Sequence, residues 1–327
     1  VKIFRGIDEV GDALRGASVA LGNFDGVHLG HQALFATAQQ HALRRKAPTA
    51  ALTFDPHPVK LLAPEVAPPQ LSPLSVKLEL MDKLGLDAVV VQPFTRVFAD
   101  QEPMAFTQAL MDVLGVGEVV VGFDFTYGKG RKGTIDTLRQ AGEARGVAIS
   151  IVPKVTVDGL PASSTKVREL ILEGRVEPAS RLLDRHYSLA GKVVRGVGRG
   201  RTIGFPTANL STDFELIPGS GVYAVVVELK APSASTPTFW AGAVNIGRKP
   251  TFSAGTEAST VEVHLIDYSG DLYEQQIEVF FLERLRPEQR FSGVDALREQ
   301  IGKDVLKAKE LVSDARPMPL DPQFVVK

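Results

Sequence analysis

Residues 18–32 read SVALGNFDGVHLGHQ, and the reading of this stretch decides how the first half of the chain folds. A short apolar run leads into a glycine-bearing loop, and the segment that follows, HQALFATAQQHALRR (31–45), has helical patterning. Strand, polar loop and helix in that order open a βαβ unit. The loop spends two of the chain's six histidines, His28 and His31, around one glycine, Gly30. If a helix starts here, its free backbone N–H groups and the positive end of its macrodipole face whatever anion sits in the loop. Gly30 permits close backbone approach, and two imidazoles so spaced can donate to one phosphate. Two other readings stay open on the residues alone. Both histidines could be solvated, or they could hold zinc with His57 as a third ligand.

Working outward, the same rhythm runs to about residue 185. Strand-like runs at 18–24, 49–54, 87–92, 118–123 and 147–153 alternate with amphipathic segments near 31–45, 75–84, 103–114 and 134–145. A further helix, STKVRELILEG, follows the fifth strand, and the proline-rich segment 56–73 reads as a long loop. Near-continuous Val/Ile/Ala strands separated by helices predict a Rossmann-like, doubly wound parallel sheet covered on both faces. In such folds ligands sit at the carboxyl ends of the strands. DGVHLGH, DPHP, DFTYGKGRKG and SSTKVR all fall on that one predicted edge. GKGRKG (128–133) also fits G-x-G-x-x-G, but it follows the fourth strand, whereas the dinucleotide fingerprint belongs to the first strand–helix turn.

From about Ser188 the texture changes. Strand-like runs at 188–195, 221–230, 239–247, 260–267 and 277–285, joined by Gly/Pro/Ser-rich connections, predict a compact antiparallel β-barrel. A terminal amphipathic helix, about 293–312, places Val294, Leu297, Ile301, Val305 and Leu311 at helical spacing. The expected domains are therefore 1–185 and 186–312, with 313–327 as a tail.

Composition narrows the function classes. Lys plus Arg total 37 against 38 Asp plus Glu, without the basic excess of a nucleic-acid binder. The chain has no cysteine, so disulfides, thiolate metal sites and a cysteine nucleophile are excluded. No apolar stretch is long enough to cross a membrane as a helix. These features predict a soluble, cytoplasmic protein whose partners are small molecules, with neither nucleic acid nor membrane among them; oligomeric state is left open.

GNFDGVHLGH together with SSTKVR resembles the H-x-G-H and I-S-S-T-x-x-R signatures of the nucleotidylyltransferase superfamily. FDPHP and GFDFTYGKGRKG narrow the likeness to the prokaryotic bifunctional riboflavin kinase/FMN adenylyltransferase family, also called FAD synthetases. The resemblance implies that the phosphate of FMN attacks the α-phosphorus of ATP and expels pyrophosphate, a reaction that needs positioning and electrostatics but no protein nucleophile. It implies that His28 and His31 stabilise the reacting phosphate, with Gly22, Phe24, Asp25, Gly26 and Gly30 around ATP. Ser164, Thr165 and Arg168 would bind its outer phosphates. His57, Asp124, Phe125 and Tyr127 would line the flavin side.

The second half carries GVGRGRTIGFPTANL (196–210), which lacks the P-loop pattern but offers glycine N–H donors for phosphate and hard oxygen ligands for Mg²⁺. A plain turn with a solvated basic rim fits those residues equally well. In STVEVHLID the alternation puts Val261, Val263 and Leu265 on one face, with Glu262 and His264 on the other. PTAN, NIGRKPTF, EVHLID and DLYEQQIEVFFLERLRPEQRF resemble, in order, the riboflavin kinase module of the same family. The likeness implies Glu262 as general base and Thr207 and Asn209 as ligands of the Mg²⁺ that accompanies ATP. Gly198, Arg199, Gly200, Arg201 and Thr202 would form a flap over ATP, and Arg286 would help close the site. Riboflavin, FMN, FAD, ATP, ADP and pyrophosphate are then the expected small molecules, with flavins as substrate and product. A chain with one active module, or one that binds flavin and nucleotide without turnover, is the alternative.

Overall fold

The computed structural model describes residues 1–196, 200, 203–229, 237–250, 257–315, 317–324 and 326. It divides into two compact units, Val1–Ser164 and Thr165–Lys327. The first contains strands β1 (Lys2–Phe4), β2 (Ser18–Leu21), β3 (Thr49–Asp55), β4 (Ala88–Pro93), β5 (Glu118–Gly122) and β6 (Ala148–Val152). They form one six-stranded sheet in the order β1-β4-β3-β2-β5-β6, every pair parallel. Five strands are those the apolar runs predict. The added one, β1, has only three residues, too few for a periodicity to register. Val19, Ala20, Ala51, Leu52, Val89, Val90, Val119 and Val120 are buried because helices cover both faces of the sheet.

Between the strands run α1 (Leu29–Arg45), α2 (Pro58–Leu62), α3 (Leu74–Lys83), α4 (Arg96–Ala99), α5 (Pro103–Gln108) and α6 (Ile135–Glu143). The segment expected as a long loop, 56–73, instead holds α2 and a 3-10 turn at Pro64–Val66. Proline opens each of these, where its missing N–H costs nothing and its fixed φ favours a helical start. A short hairpin of β7 (Thr156–Val157) and β8 (Leu160–Pro161) follows β6. Strand order runs one way from β2 to β4 and the other way from β5 to β6. The switch point, where ligands settle in open α/β sheets, therefore lies at the carboxyl ends of β2 and β5.

At the opposite end of the sheet Glu118 is buried and accepts hydrogen bonds from Ser18 Oγ (2.7 Å) and Ser150 Oγ (2.6 Å). His41 Nδ1 lies 2.5 Å from the same carboxylate. Burial pushes the Glu118 pKa up, but the bonds from Ser150, His41 and Ser18 outweigh it and hold the group below its ordinary 4.5. A depressed carboxylate pKa stabilises the fold above the unfolded-state value and loses that effect as pH falls through the folded value. Glu118→Gln is thus expected to weaken hydrogen-exchange protection of β2, β5 and β6 at neutral pH. The gap to the unaltered chain should close below about pH 4.5. A gap that widens on acidification would contradict this account.

The second unit contains helices α7 (Ser164–Leu172) and α8 (Val176–Leu183), except for Ser164 itself, and a closed six-stranded antiparallel barrel. Its strands are β9 (Tyr187–Val194), β10 (Ala208–Ser211), β11 (Gly221–Leu229), β12 (Thr238–Pro250), β13 (Glu257–Leu265) and β14 (Gln276–Arg286), in the order β10-β13-β12-β11-β14-β9. The sequence did not predict β10, which starts at the end of the glycine-rich motif. Tyr187, Tyr223, Val225, Val263 and Phe281 are among the fully or nearly fully buried barrel residues. The terminal helix runs Val294–Asp314 and packs on β11, β12 and β14. Of its expected apolar stripe Val294 is exposed and Leu297, Ile301, Val305 and Leu311 are half-buried, while the fully buried apolar positions are Ala308 and Val312.

The described part of segment 313–327 is held on the barrel. Phe324 packs against Phe239 and Phe280 at ring distances of 5.5 and 5.2 Å. Asp321 accepts from the backbone N–H of His186 and of Met318, both at 3.0 Å.

Candidate functional sites

In the first unit His28 is the N-cap of α1, and its Nδ1 accepts the backbone N–H of His31 at 3.4 Å. A neutral imidazole accepting at Nδ1 carries its proton on Nε2, so the cap itself turns His28 into an N–H donor. The His28 and His31 rings stack with centroids 3.6 Å apart. Burial, then His28, then Lys77 drive the His31 pKa well below 6.5, so this ring is neutral at physiological pH. Its Nδ1 is buried without a hydrogen-bond partner among the described residues. An unpaired buried polar atom beside a helix start calls for a polar ligand. Gly30 is required by space: a Cβ there would lie 2.8 Å from the Ala162 carbonyl and 3.0 Å from the His28 ring.

Phe24, predicted near ATP, is fully buried and packs on His31 and Phe35. Asp25 is buried as well; its Oδ1 accepts from the Leu71 N–H at 2.9 Å. Its carbonyl accepts from Ser164 Oγ at 2.9 Å, so that hydroxyl is committed to the loop. Gly22 and Gly26 flank the same turn, where a Cβ would meet the Phe24 ring and Leu71 respectively. Thr165 and Arg168 lie on α7 in the second unit, and their part in nucleotide binding rests on the motif.

His57 caps α2, with its Nδ1 accepting from the Val59 N–H at 3.3 Å, so it stands at the carboxyl end of β3. Asp124 is exposed after β5, while Phe125 stacks on Tyr127 at 5.7 Å. Tyr127 is buried, contacts Thr137 through its hydroxyl at 3.3 Å and pairs with Gly133, which closes the basic loop of residues 128–132. The sequence did not single out what these residues join. Phe54, Phe98, Phe106, Tyr127 and Phe125 form an unbroken series of ring contacts along this edge, each 5.6 to 6.1 Å apart. Phe94 packs on the first two of them. The available signal was phenylalanine recurring at or after the carboxyl ends of β3, β4 and β5, at Phe54, Phe94, Phe98 and Phe125.

In the barrel Glu262 on β13 stands in register with Asn209 on β10 and with Asn245 on β12. Directly opposed residues share a face, so the carboxylate lies in a row between two amides. Glu262 lines a cavity of about 340 Å³ whose apolar wall includes Phe205, Val222, Val244, Phe291 and Leu297. A second hollow of about 510 Å³ is lined by Arg195, Tyr268, Asp271 and Tyr273, with the Arg195 guanidinium 5.1 Å from the Tyr273 ring centroid. Thr207 lines both. Gly200 is pressed against the same segment, for a Cβ there would sit 2.3 Å from the Phe205 carbonyl and 3.2 Å from Thr207 Oγ1. Gly198, Arg199, Arg201 and Thr202 lie outside the described residues.

Arg286 lines the first cavity and is paired with the buried Asp304 of the terminal helix, Nη2 to Oδ2 at 2.8 Å. Gln300 donates to the same carboxylate at 2.9 Å. Sequence reasoning missed Asn245 and Asp304 and gave no role to His264, whose Nδ1 donates to the Pro206 carbonyl at 2.8 Å. Among the described residues no group of three His, Asp or Glu could hold a metal, which leaves the zinc reading without a cluster.

A histidine-capped helix start at the switch point of a parallel sheet, with a carboxylate beside a cavity in a separate barrel, defines a two-unit group-transfer enzyme. Residues 11–166 match the FAD synthetase family and residues 183–312 the riboflavin kinase family. A bifunctional riboflavin kinase/FMN adenylyltransferase from Pseudomonas fluorescens is 36% identical over 96% of this chain and 98% of that relative. One from Bacillus subtilis is 38% identical over 91% and 93%. The chain belongs to the bifunctional riboflavin kinase/FMN adenylyltransferase family. A solved structure described as a macrolide-efflux protein from Streptococcus pneumoniae shares the fold with a TM-score of 0.83 at 28% identity, covering 94% of this chain and 98% of that one.

Two consequences can be measured at once. Gly30→Ala is expected to cut FMN-to-FAD conversion on the order of 10²-fold, because its Cβ displaces the His28 ring. The kinase reaction in the same sample should be unchanged. Equal loss of both reactions would mean a general folding defect.

Proposed function

We propose that the chain phosphorylates riboflavin with ATP to give FMN and ADP, then adenylylates FMN with a second ATP to give FAD and pyrophosphate. The observation that carries the first step is Glu262, held between Asn209 and Asn245 at a largely apolar cavity. A general base must face the hydroxyl that it deprotonates, so riboflavin takes this cavity and ATP the second hollow. Thr207, which borders both, marks the place where the γ-phosphate passes. Glu262 accepts the proton of the ribityl 5′-hydroxyl as its oxygen attacks the γ-phosphorus. The Arg286–Asp304 pair ties the end of β14 to the terminal helix and so shapes the flavin cavity. The Thr207 hydroxyl and Asn209 amide oxygen suit Mg²⁺, which when bound offsets phosphate charge.

In the second step the first unit holds two phosphorylated substrates in line. His28 Nε2–H and the α1 N-terminus receive the charge that develops on the α-phosphate. By the motif, Thr165 and Arg168 bind the outer phosphates. His57, Asp124 and the aromatic series from Phe54 to Phe125 take the flavin side. We assign residues 1–185 to adenylyl transfer, residues 186–312 to the kinase, and the whole to the cytoplasm. Among the described residues no helix is long and apolar enough to cross a membrane.

Incubation with riboflavin, ATP and Mg²⁺, with flavins separated by chromatography over time, tests the reading. FMN is expected to accumulate first and FAD to follow. Binding of both ligands without product would support a storage protein instead.

A further inference from the structure

Lys77 belongs to none of the motifs. It lies on α3 with 6% of its surface exposed, although lysine is rarely buried without a specific partner. Its ammonium donates to the Asn23 carbonyl at 2.8 Å, and Thr53 Oγ1 donates to the same oxygen at 3.1 Å. Asn23 opens the turn that ends in the cap of α1. That turn holds Phe24 at φ 50° and Val27 at φ 45°, both in the left-handed region. A β-branched residue stays there only where its surroundings over-determine the backbone. Thr53, Lys77, Ser164 and Gln32 donate side-chain hydrogen bonds to the carbonyls of Asn23, Asp25 and Val27. Lys77 is the one cation among them.

We propose that Lys77 is a positioning residue for adenylyl transfer: its buried ammonium locks the Asn23 carbonyl, and with it the turn that aims His28 and His31 at the reacting phosphate. The inference rests on the reading of the first unit as the adenylyltransferase. The charges around it are consistent. Asp25 of the turn and Asp55 at the end of β3 favour the charged ammonium, against burial, which lowers its pKa. Lys77 in turn acts with burial and with His28 to hold His31 neutral. A neutral His31 donates or accepts at a fixed nitrogen without drawing a counter-ion into the loop before substrate arrives. The same cation therefore fixes the backbone and adds to the burial and the His28 ring that keep His31 neutral.

The test compares Lys77→Met with Thr53→Val, each of which removes one donor to the same carbonyl, in the full chain. Lys77→Met is expected to lower kcat for FMN-to-FAD conversion on the order of 10²-fold with KM for ATP little changed. It should also move the acid limb of the pH–rate profile upward, because His31 loses one of the pressures that keep it neutral. Thr53→Val should leave the limb where it is. The kinase reaction, measured in the same samples, reports the amount of intact chain. An unchanged rate for Lys77→Met, or a fall in rate with the acid limb unmoved, would overturn the proposal. Failure of the unaltered chain to make FAD from FMN would instead sink the functional reading on which it rests.

Discussion

Glu262→Gln is expected to stop FMN formation from riboflavin while the same chain still converts supplied FMN to FAD. General-base catalysis contributes about 10²–10⁴-fold, and a glutamine in this position cannot accept the ribityl proton. The substitution is mild for the fold. Glu262 is half-buried on β13 and already stands between Asn209 and Asn245, so a third amide extends an existing polar row. Buried Val261 and Val263 on either side keep the strand seated in the barrel. Loss of the kinase step with the other step intact therefore isolates the carboxylate. If Glu262→Gln makes FMN at the unaltered rate, the base lies elsewhere and the assignment fails.

The two units were legible to different depths, for physical reasons. Parallel strands buried on both faces produce unbroken apolar runs, so β2 to β6 stood out and with them the carboxyl edge that carries the polar loops. The strand order that sets the switch point is a tertiary relation no apolar run encodes. The histidine loop could be placed at a helix start because strand and helix patterns bracket it. The barrel's β10 was hidden because its four residues, Ala208–Ser211, are too few for their apolar/polar alternation to register directly after a glycine-rich stretch. Asn245 escaped notice for a related reason: its meaning comes from register with Glu262, a cross-strand relation that no local pattern encodes. Lys77 was invisible as well. A single lysine on an amphipathic helix reads as a solvated residue until the neighbouring turn is seen to fold over it. The terminal helix was legible as amphipathic, but its spacing could not tell that Leu297 and Ile301 line the cavity beside Glu262 or that the buried position between Ile301 and Ala308 is Asp304.

His28 is the residue whose loss should halt the pathway at FMN. His28→Ala removes the Nε2–H donor from the α-phosphate, and loss of one such donor costs on the order of 10²–10³-fold in kcat. It also removes the α1 cap, which costs about 1 kcal/mol of local stability, so the alanine variant alone mixes two effects. His28→Asn separates them. Asparagine is among the best N-caps and can accept the His31 N–H as the imidazole does. Its short side chain does not extend to where the distal imidazole nitrogen lies. If the histidine acts on the phosphate, the asparagine variant regains stability but remains as slow as alanine in making FAD, and both accumulate FMN at the unaltered rate. If its contribution is the cap, asparagine restores FAD synthesis. The α1 cap is the His28 side chain accepting the His31 backbone N–H. The His31 ring, stacked on His28 at 3.6 Å, has its Nδ1 unpaired among the described residues, so the comparison of alanine with asparagine reads the His28 side chain alone.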